Sequence, residues 1–197
     1  MRDRFVPLVL IALVAAFAAG CGTTAPSRFY TLDSTAAADG APPARCSVIV
    51  GPVSIPASVD RPEFVVQVAP NRVEIEEFDR WAAPLGDSIA SVVAGDLAVL
   101  LGTPEVATTP LANFNPEYRV TINVQRFESV RGGTAIVDAV WAVQKMGGGP
   151  ARSGRTVARE AIQGEGFDAL AAGHSRALAT MSADIAAAIR AANDTVR

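Results

Sequence analysis

The chain has 197 residues, 17 basic against 20 acidic, with half of its residues hydrophobic, one histidine and two cysteines. A mildly acidic chain without a basic run carries no electrostatic footprint for nucleic acid or for anionic lipid head groups. One histidine and two scattered cysteines make no zinc-type site.

The N-terminus opens with Arg2 and Arg4, continues with an apolar stretch over residues 5–17, and ends in Ala18-Ala19-Gly20-Cys21. A charged start, a short apolar run and small residues before a cut are the marks of a secretory signal peptide. The apolar run is shorter than the ~20 residues that a membrane-spanning helix needs. The cysteine directly after small residues resembles the lipobox of bacterial lipoproteins, with Ala18 at the place where Leu is usual. That resemblance implies a diacylglyceryl group on the Cys21 thiol, cleavage before Cys21, and an acyl chain on the new amine. No other cofactor is expected. Two or more acyl chains are what stable anchoring requires. Gly22, where an Asp commonly retains lipoproteins at the inner membrane, favours the outer membrane. Loss of residues 1–20 removes Arg2, Arg4 and Asp3 and leaves 15 basic and 19 acidic residues, a net charge of −4. With Cys21 lipidated, Cys46 has no intramolecular partner; it reads as a small buried residue at a strand start rather than an interchain link.

The expected organisation is a signal peptide over 1–20, a lipidated Cys with tether and short N-terminal strand over 21–45, one α+β domain over 46–192, and a tail over 193–197. Within it, residues 22–27 read as a tether and 28–32 as a brief β-type run. Residues 34–44 are Ala/Gly/Pro-rich and read as a flexible loop without the apolar content to pack. Residues 46–50 form a strand ended by Gly51-Pro52, with a continuation over 53–55, and Pro56 with the Asp60-Arg61-Pro62 turn confines the region to a sheet edge or loop. Residues 64–68 and 72–78 predict a hairpin in which Val73, Ile75 and Phe78 alternate with Glu74 and Glu76. Residues 84–101 predict a helix opened by Pro84, with Leu85, Ile89, Val92, Val93, Leu97, Leu100 and Leu101 on one stripe, stopped by Gly102 and Pro104.

The clearest strand then places Tyr118, Val120, Ile122 and Val124 on one face, and Phe127 breaks that phase as a bulge would. Residues 134–145 are apolar on both faces and predict a central strand; a more polar strand follows over 155–162. A long helix over about 167–192 repeats Leu170, His174, Leu178, Met181, Ile185 and Ile189 at spacings of three and four. The order is β-β-β-α-β-β-β-α: an α+β fold, with a largely antiparallel sheet and two main helices on one face.

Catalytic chemistry needs a nucleophile beside a base, paired carboxylates, a metal or a phosphate cradle. His174 falls on or beside the apolar stripe and reads as a packing residue. Glu74, Glu76 and Glu77 near Asp79 read as solvated like charges. Gly147-Gly148-Gly149 is a turn without the Lys-Ser/Thr of a phosphate loop, and Gly164-Glu165-Gly166 lacks the dinucleotide fingerprint. No enzyme is expected. The segment over residues 71–85 stands out instead, because Phe78, Trp81 and Pro84 follow closely where a strand gives way to a helix. Trp81 should dock into the core and fix the strand–helix angle. Asp79 is placed to cap the next turn, and Arg80 to pair with it or with Glu77. The segment reads as architectural or as a partner-binding patch.

Phe29-Tyr30-Thr31-Leu32, Val50-Gly51-Pro52-Val53-Ser54-Ile55-Pro56, Asp60-Arg61-Pro62 and Glu77-Phe78-Asp79-Arg80-Trp81-Ala82-Ala83-Pro84-Leu85 resemble, in order, the ABC-type transport auxiliary lipoprotein family, the PqiC/YmbA-like proteins. Two positions depart from the pattern: Ala83, where an acidic residue is common, and Gln67, where Arg is. The resemblance implies a non-catalytic subunit at the outer membrane that docks an envelope assembly moving lipids or other hydrophobic molecules. Its partners would be an MCE-domain periplasmic protein and inner-membrane permease components. A homo-oligomer matching ring-like MCE assemblies is a further expectation. The competing readings are a periplasmic lipid-binding module and a lipoprotein regulator of a cell-wall enzyme.

Overall fold

Alternating and β-branched stretches become eight strands, and the two apolar stripes become two helices. The computed structural model describes residues 25–110, 112–149 and 151–194; the signal segment, Cys21 and Gly22 lie outside the described residues. In chain order the elements are β1 (Arg28–Tyr30), β2 (Val48–Ser54), β3 (Glu63–Ala69), β4 (Arg72–Trp81), α1 (Leu85–Leu101), β5 (Val106–Ala107), β6 (Tyr118–Val130), β7 (Thr134–Lys145), β8 (Arg152–Ala161) and α2 (Gly166–Asp194). This is the expected α+β fold with two helices. β1 is the brief β-type run expected over 28–32, and β5, two residues long and too short for a periodic signal, is added to the predicted order.

The sheet is mixed. Its long pairings, β3/β4, β6/β7 and β7/β8, are antiparallel. Four shorter ones, β1/β4, β2/β5, β2/β6 and β3/β6, are parallel. Each of these pairs joins strands separated by other elements of the chain, as parallel pairing requires, since a tight hairpin can link only antiparallel neighbours. β6 carries β7 along one edge. Its other edge is shared, β2 pairing with Tyr118 through Asn123 and β3 with Ser129 and Val130. The register slips between Val124 and Arg126. That bulge keeps Phe127 and Ser129 on the same buried face as Tyr118, Val120, Ile122 and Val124, as the break of phase predicts.

The hairpin departs from expectation. Val73 and Ile75 are 56% and 52% exposed and lie opposite Gln67 and Val65, on the sheet face away from the helices. Glu74 and Glu76 project to the other side, at its rim, and both accept from Arg131 at 2.7 Å. A register shift between Glu63 and Phe64 then resets the phase of β4. As a result Asp79 and Trp81 point into the core, and Phe78 does not.

Between sheet and helices the core is filled by Phe64, Tyr118, Ile122 and Trp141 from the strands, Leu85, Ile89 and Leu97 from α1, and Leu178, Met181 and Ile185 from α2. Pro84 precedes α1 with φ −51° and ψ 129°, a conformation that needs no N–H. Gly102 ends the helix at φ 62°, the left-handed state that a side chain disfavours.

The 34–44 segment is not a free loop. Its apolar content is low, as predicted, but it is held across the helices by polar bonds instead. Asp96 of α1 is fully buried. Its Oδ1 accepts from Ser34 Oγ at 2.6 Å and from the Thr35 and Ala36 amides at 3.0 Å each, while Oδ2 accepts from Ser182 Oγ of α2 at 3.0 Å. A Cβ at Gly95 would lie 3.0 Å from Ser34 Cβ, so the strap crosses α1 where a glycine admits it. Further along, Asp39 accepts from Arg190 at 2.6 Å, and the Ala44 amide bonds Leu101 O at 2.7 Å.

Asp96→Ala leaves Ser34 Oγ and the Thr35 and Ala36 amides without their acceptor, while Ser182 Oγ keeps Leu178 O. Urea unfolding should report a loss of ~2–4 kcal/mol. Limited proteolysis should become faster within residues 33–44 than elsewhere.

Candidate functional site

The residues singled out by sequence converge where β4 passes into α1. The Trp81 amide donates to Pro62 O at 2.7 Å and the Ala82 amide to Tyr30 O at 2.9 Å. These bonds bring the exposed Asp60-Arg61-Pro62 turn and β1 against the end of β4. Trp81 is buried, as expected, and stacks on Phe64 with ring centroids 4.1 Å apart at 27°. Phe127 meets it edge-on at 6.1 Å, and Phe167 of α2 closes on Phe64 at 5.2 Å. Leu85, the first residue of α1, is buried, while Ala82, Ala83 and Pro84 are exposed between it and Trp81.

Asp79 does not cap the following turn. Its carboxylate is buried and accepts from Tyr30 Oη at 2.7 Å and from both Nε and Nη2 of Arg28 at 2.8 Å. Burial alone would raise its pKa, but the hydrogen bonds from Arg28 and Tyr30 and the Arg28 charge leave it below the ordinary value. Burial, together with that same carboxylate, pushes the Tyr30 phenol up to about 12, so it stays a donor. Arg80 pairs with neither Asp79 nor Glu77. It projects to the helix-free face and donates to Glu63 Oε1 at 2.9 Å. Alternation along β4 separates the two residues: Asp79 faces in and Arg80 out. Phe78 and Arg80 are half-buried on that outer face.

His174 is fully buried. Phe127 stacks on its ring at 3.8 Å and 9°, and Ser129 Oγ lies 2.8 Å from Nε2. Its Nδ1 has no hydrogen-bond partner, so this serine–histidine contact has no third group to orient it and no opening for a substrate. Burial lowers the His174 pKa from 6.5 to about 3. Cys46 is buried, and burial, reinforced by Glu117 and Glu105, pushes its thiol up to about 11. Among the described residues no group of His, Cys, Asp or Glu side chains could hold a metal ion.

Sequence reasoning missed the carboxylate hubs. Asp96 had a signal, since a charged residue interrupts the stripe of Val92, Val93, Leu97 and Leu100 and must find donors there. The Arg28–Tyr30–Asp79 cluster had none, because it joins residues about fifty positions apart.

Trp81→Ala should cost ~3–5 kcal/mol of unfolding free energy, because the emptied space is walled by three other rings and cannot collapse easily. For His174 the folded pKa lies below the unfolded one, so its contribution to stability is complete above about pH 6.5 and declines as pH falls toward 3. From pH 7 to 4.5 that loss is ~2–3 kcal/mol. His174→Gln, which does not titrate, should flatten this part of the profile measured by urea unfolding at both pH values.

The sequence matches the model of the ABC-type transport auxiliary lipoprotein component family over residues 30–186. A comparison with curated proteins finds no sequence match. Among solved structures, the chain is similar to an uncharacterised protein at 20% identity and a TM-score of 0.69, covering 84% of this chain and 99% of that one. It is also similar to protein XCC0632 from Xanthomonas campestris, at 19% identity and a TM-score of 0.66, covering 80% and 92%. A putative lipoprotein from Caulobacter crescentus aligns at 19% identity and a TM-score of 0.38, over 54% and 83%. The first two share the fold of this chain. With the matched span running from the end of β1 into α2 and taking in both buried carboxylates, Asp79 and Asp96, this protein belongs to the ABC-type transport auxiliary lipoprotein component family.

Proposed function

We propose that this protein is a non-catalytic subunit of an MCE-type envelope transport system for lipids or other hydrophobic molecules. In this reading Cys21, carrying a diacylglyceryl group and an N-acyl chain, anchors it at the periplasmic face of the outer membrane. The domain docks the periplasmic assembly there, with an MCE-domain protein and permease components as partners. The observation that carries the reading is the family match over residues 30–186, which is that of a transport auxiliary lipoprotein. The burial of His174 agrees with it, since the one histidine is committed to packing.

A carrier that swallows its cargo needs an internal cavity of several hundred Å³. Within the aromatic core, the space beside Phe64, Trp81 and Phe127 is about 10 Å³, room for one water at most, and the larger clefts, of about 240, 490 and 360 Å³, are lined in part by exposed residues such as Arg72, Thr180 and Glu165. The exposed members of the family segment, Asp60, Arg61, Pro62 and Pro84, are the ones available to a partner, while Asp79, Trp81 and Leu85 hold them in place from within.

Affinity purification of the lipidated protein from solubilised envelopes should recover an MCE-domain partner. Recovery of none, under conditions that preserve other envelope complexes, counts against the reading. Cys21→Ser should leave the unfolding midpoint unchanged and abolish complementation of a deletion strain; full complementation would show that the tether is dispensable.

A further inference from the structure

Five of the seven exposed large hydrophobic residues, Phe29, Val73, Ile75, Val140 and Val157, lie on the sheet face that no helix covers. Three of them run together along β4. Val73 and Ile75 point outward from β4, Phe29 projects the same way from β1 opposite Arg80, and half-buried Phe78 lies between. From Phe29 to Val73 this stripe is about 23 Å long, seven strand residues. Phe29 is 64% exposed, an unusual state for an aromatic ring. On this face Arg80 pairs with Glu63, Arg126 with Glu128 and Arg155 with Asp138, while Arg119 on β6 and Arg159 on β8 lie away from the stripe. The stripe itself is therefore apolar, the character of a surface that meets something uncharged.

The covalent chain limits what that can be. Six residues lie between Cys21 and Arg28, and the seven steps that join them make a leash of about 25 Å at full stretch. The stripe begins one residue later. A lipid on Cys21 would hold Phe29 within about 28 Å of the acyl chains at all times.

We propose that this outer face of β1, β4 and β3 rests on the bilayer that holds the lipid of Cys21, with Phe29, Phe78, Ile75 and Val73 in the interfacial layer. The inference rests on Cys21 being the membrane anchor. Contact is apolar and needs no anionic lipid, in keeping with the paired charges. It also orients the molecule: the layer of α1 and α2 faces away from the membrane.

The test uses the full-length processed lipoprotein reconstituted into vesicles of phosphatidylethanolamine and phosphatidylcholine. An environment-sensitive fluorophore is attached at Phe29→Cys or Ile75→Cys, with exposed Thr180→Cys on α2 as the control and the parent protein, whose Cys46 is buried, as the blank. Nitroxide-labelled acyl chains should quench the probes at positions 29 and 75 about threefold or more relative to position 180, equally at low and high salt, as apolar insertion requires. Vesicle-bound protein whose three probes are quenched alike or not at all overturns the proposal and leaves the anchor standing. Shielding of positions 29 and 75 without lipid quenching, together with disulfide-linked dimers through Ile75→Cys, gives the stripe to a second copy and overturns it too. Protein that fails to float with the vesicles overturns the anchor, and this inference with it.

Discussion

β6 is the constraint on which the sheet depends. One of its edges is given wholly to β7, and the other is divided between β2 and β3, which reach it from separate parts of the chain. The slip beside Gln125 falls in the gap between those two partners. A strand of strict alternation would turn Phe127 outward at this point, and with it Ser129. Phe127 would then be lost from the stack that covers His174, and from the wall around Trp81. One extra residue thus keeps the aromatic layer continuous from β4 across β6 to α2.

Two buried carboxylates do a related task for the chain ahead of the main body. Asp79 receives Arg28 and Tyr30, and Asp96 receives Ser34, Thr35 and Ala36. The segment has few large apolar side chains, so burial of apolar area alone could not order it. Each carboxylate is taken from water, which is costly unless the donors are complete. Here they are, and charge-assisted hydrogen bonds replace the missing hydrophobic contact. The family segment gains a physical meaning from this: Asp79 and Trp81 are inward-facing members that fasten β1 and set the start of α1, and the residues between and around them are carried on that support.

Much of the fold was legible because periodicity reports burial on one face. The stripes of both helices, the long strand from Tyr118 and the doubly apolar strand after Thr134 all read directly, and so did the bulge at Phe127. What failed was phase and polarity. Val73 and Ile75 alternate as a buried face would, yet no element covers them; alternation shows which residues share a side, not whether that side meets a core. Arg80 was assigned a neighbour in sequence and found one across the hairpin, Glu63, because adjacent strand residues point to opposite faces. The 34–44 segment was judged on apolar content, which carries no information about a carboxylate sixty residues away. Trp81 was read correctly for a simple reason: so large a side chain at a strand–helix junction has few places to go but inward.

The way β1 enters the sheet has a mechanical consequence. β1 is parallel to the end of β4 and pairs with it through three residues. Tension on the chain ahead of Arg28 therefore acts along those strands, in shear, and loads their hydrogen bonds together with the Arg28 and Tyr30 contacts to Asp79. An antiparallel hairpin pulled at its open end would instead unzip one bond at a time. Should β1 yield, the Ser34 to Ala36 grip on Asp96 comes under load next, before either helix is disturbed. The short strand and the strap behind it thus act as two successive stops between the N-terminal end and the two helices.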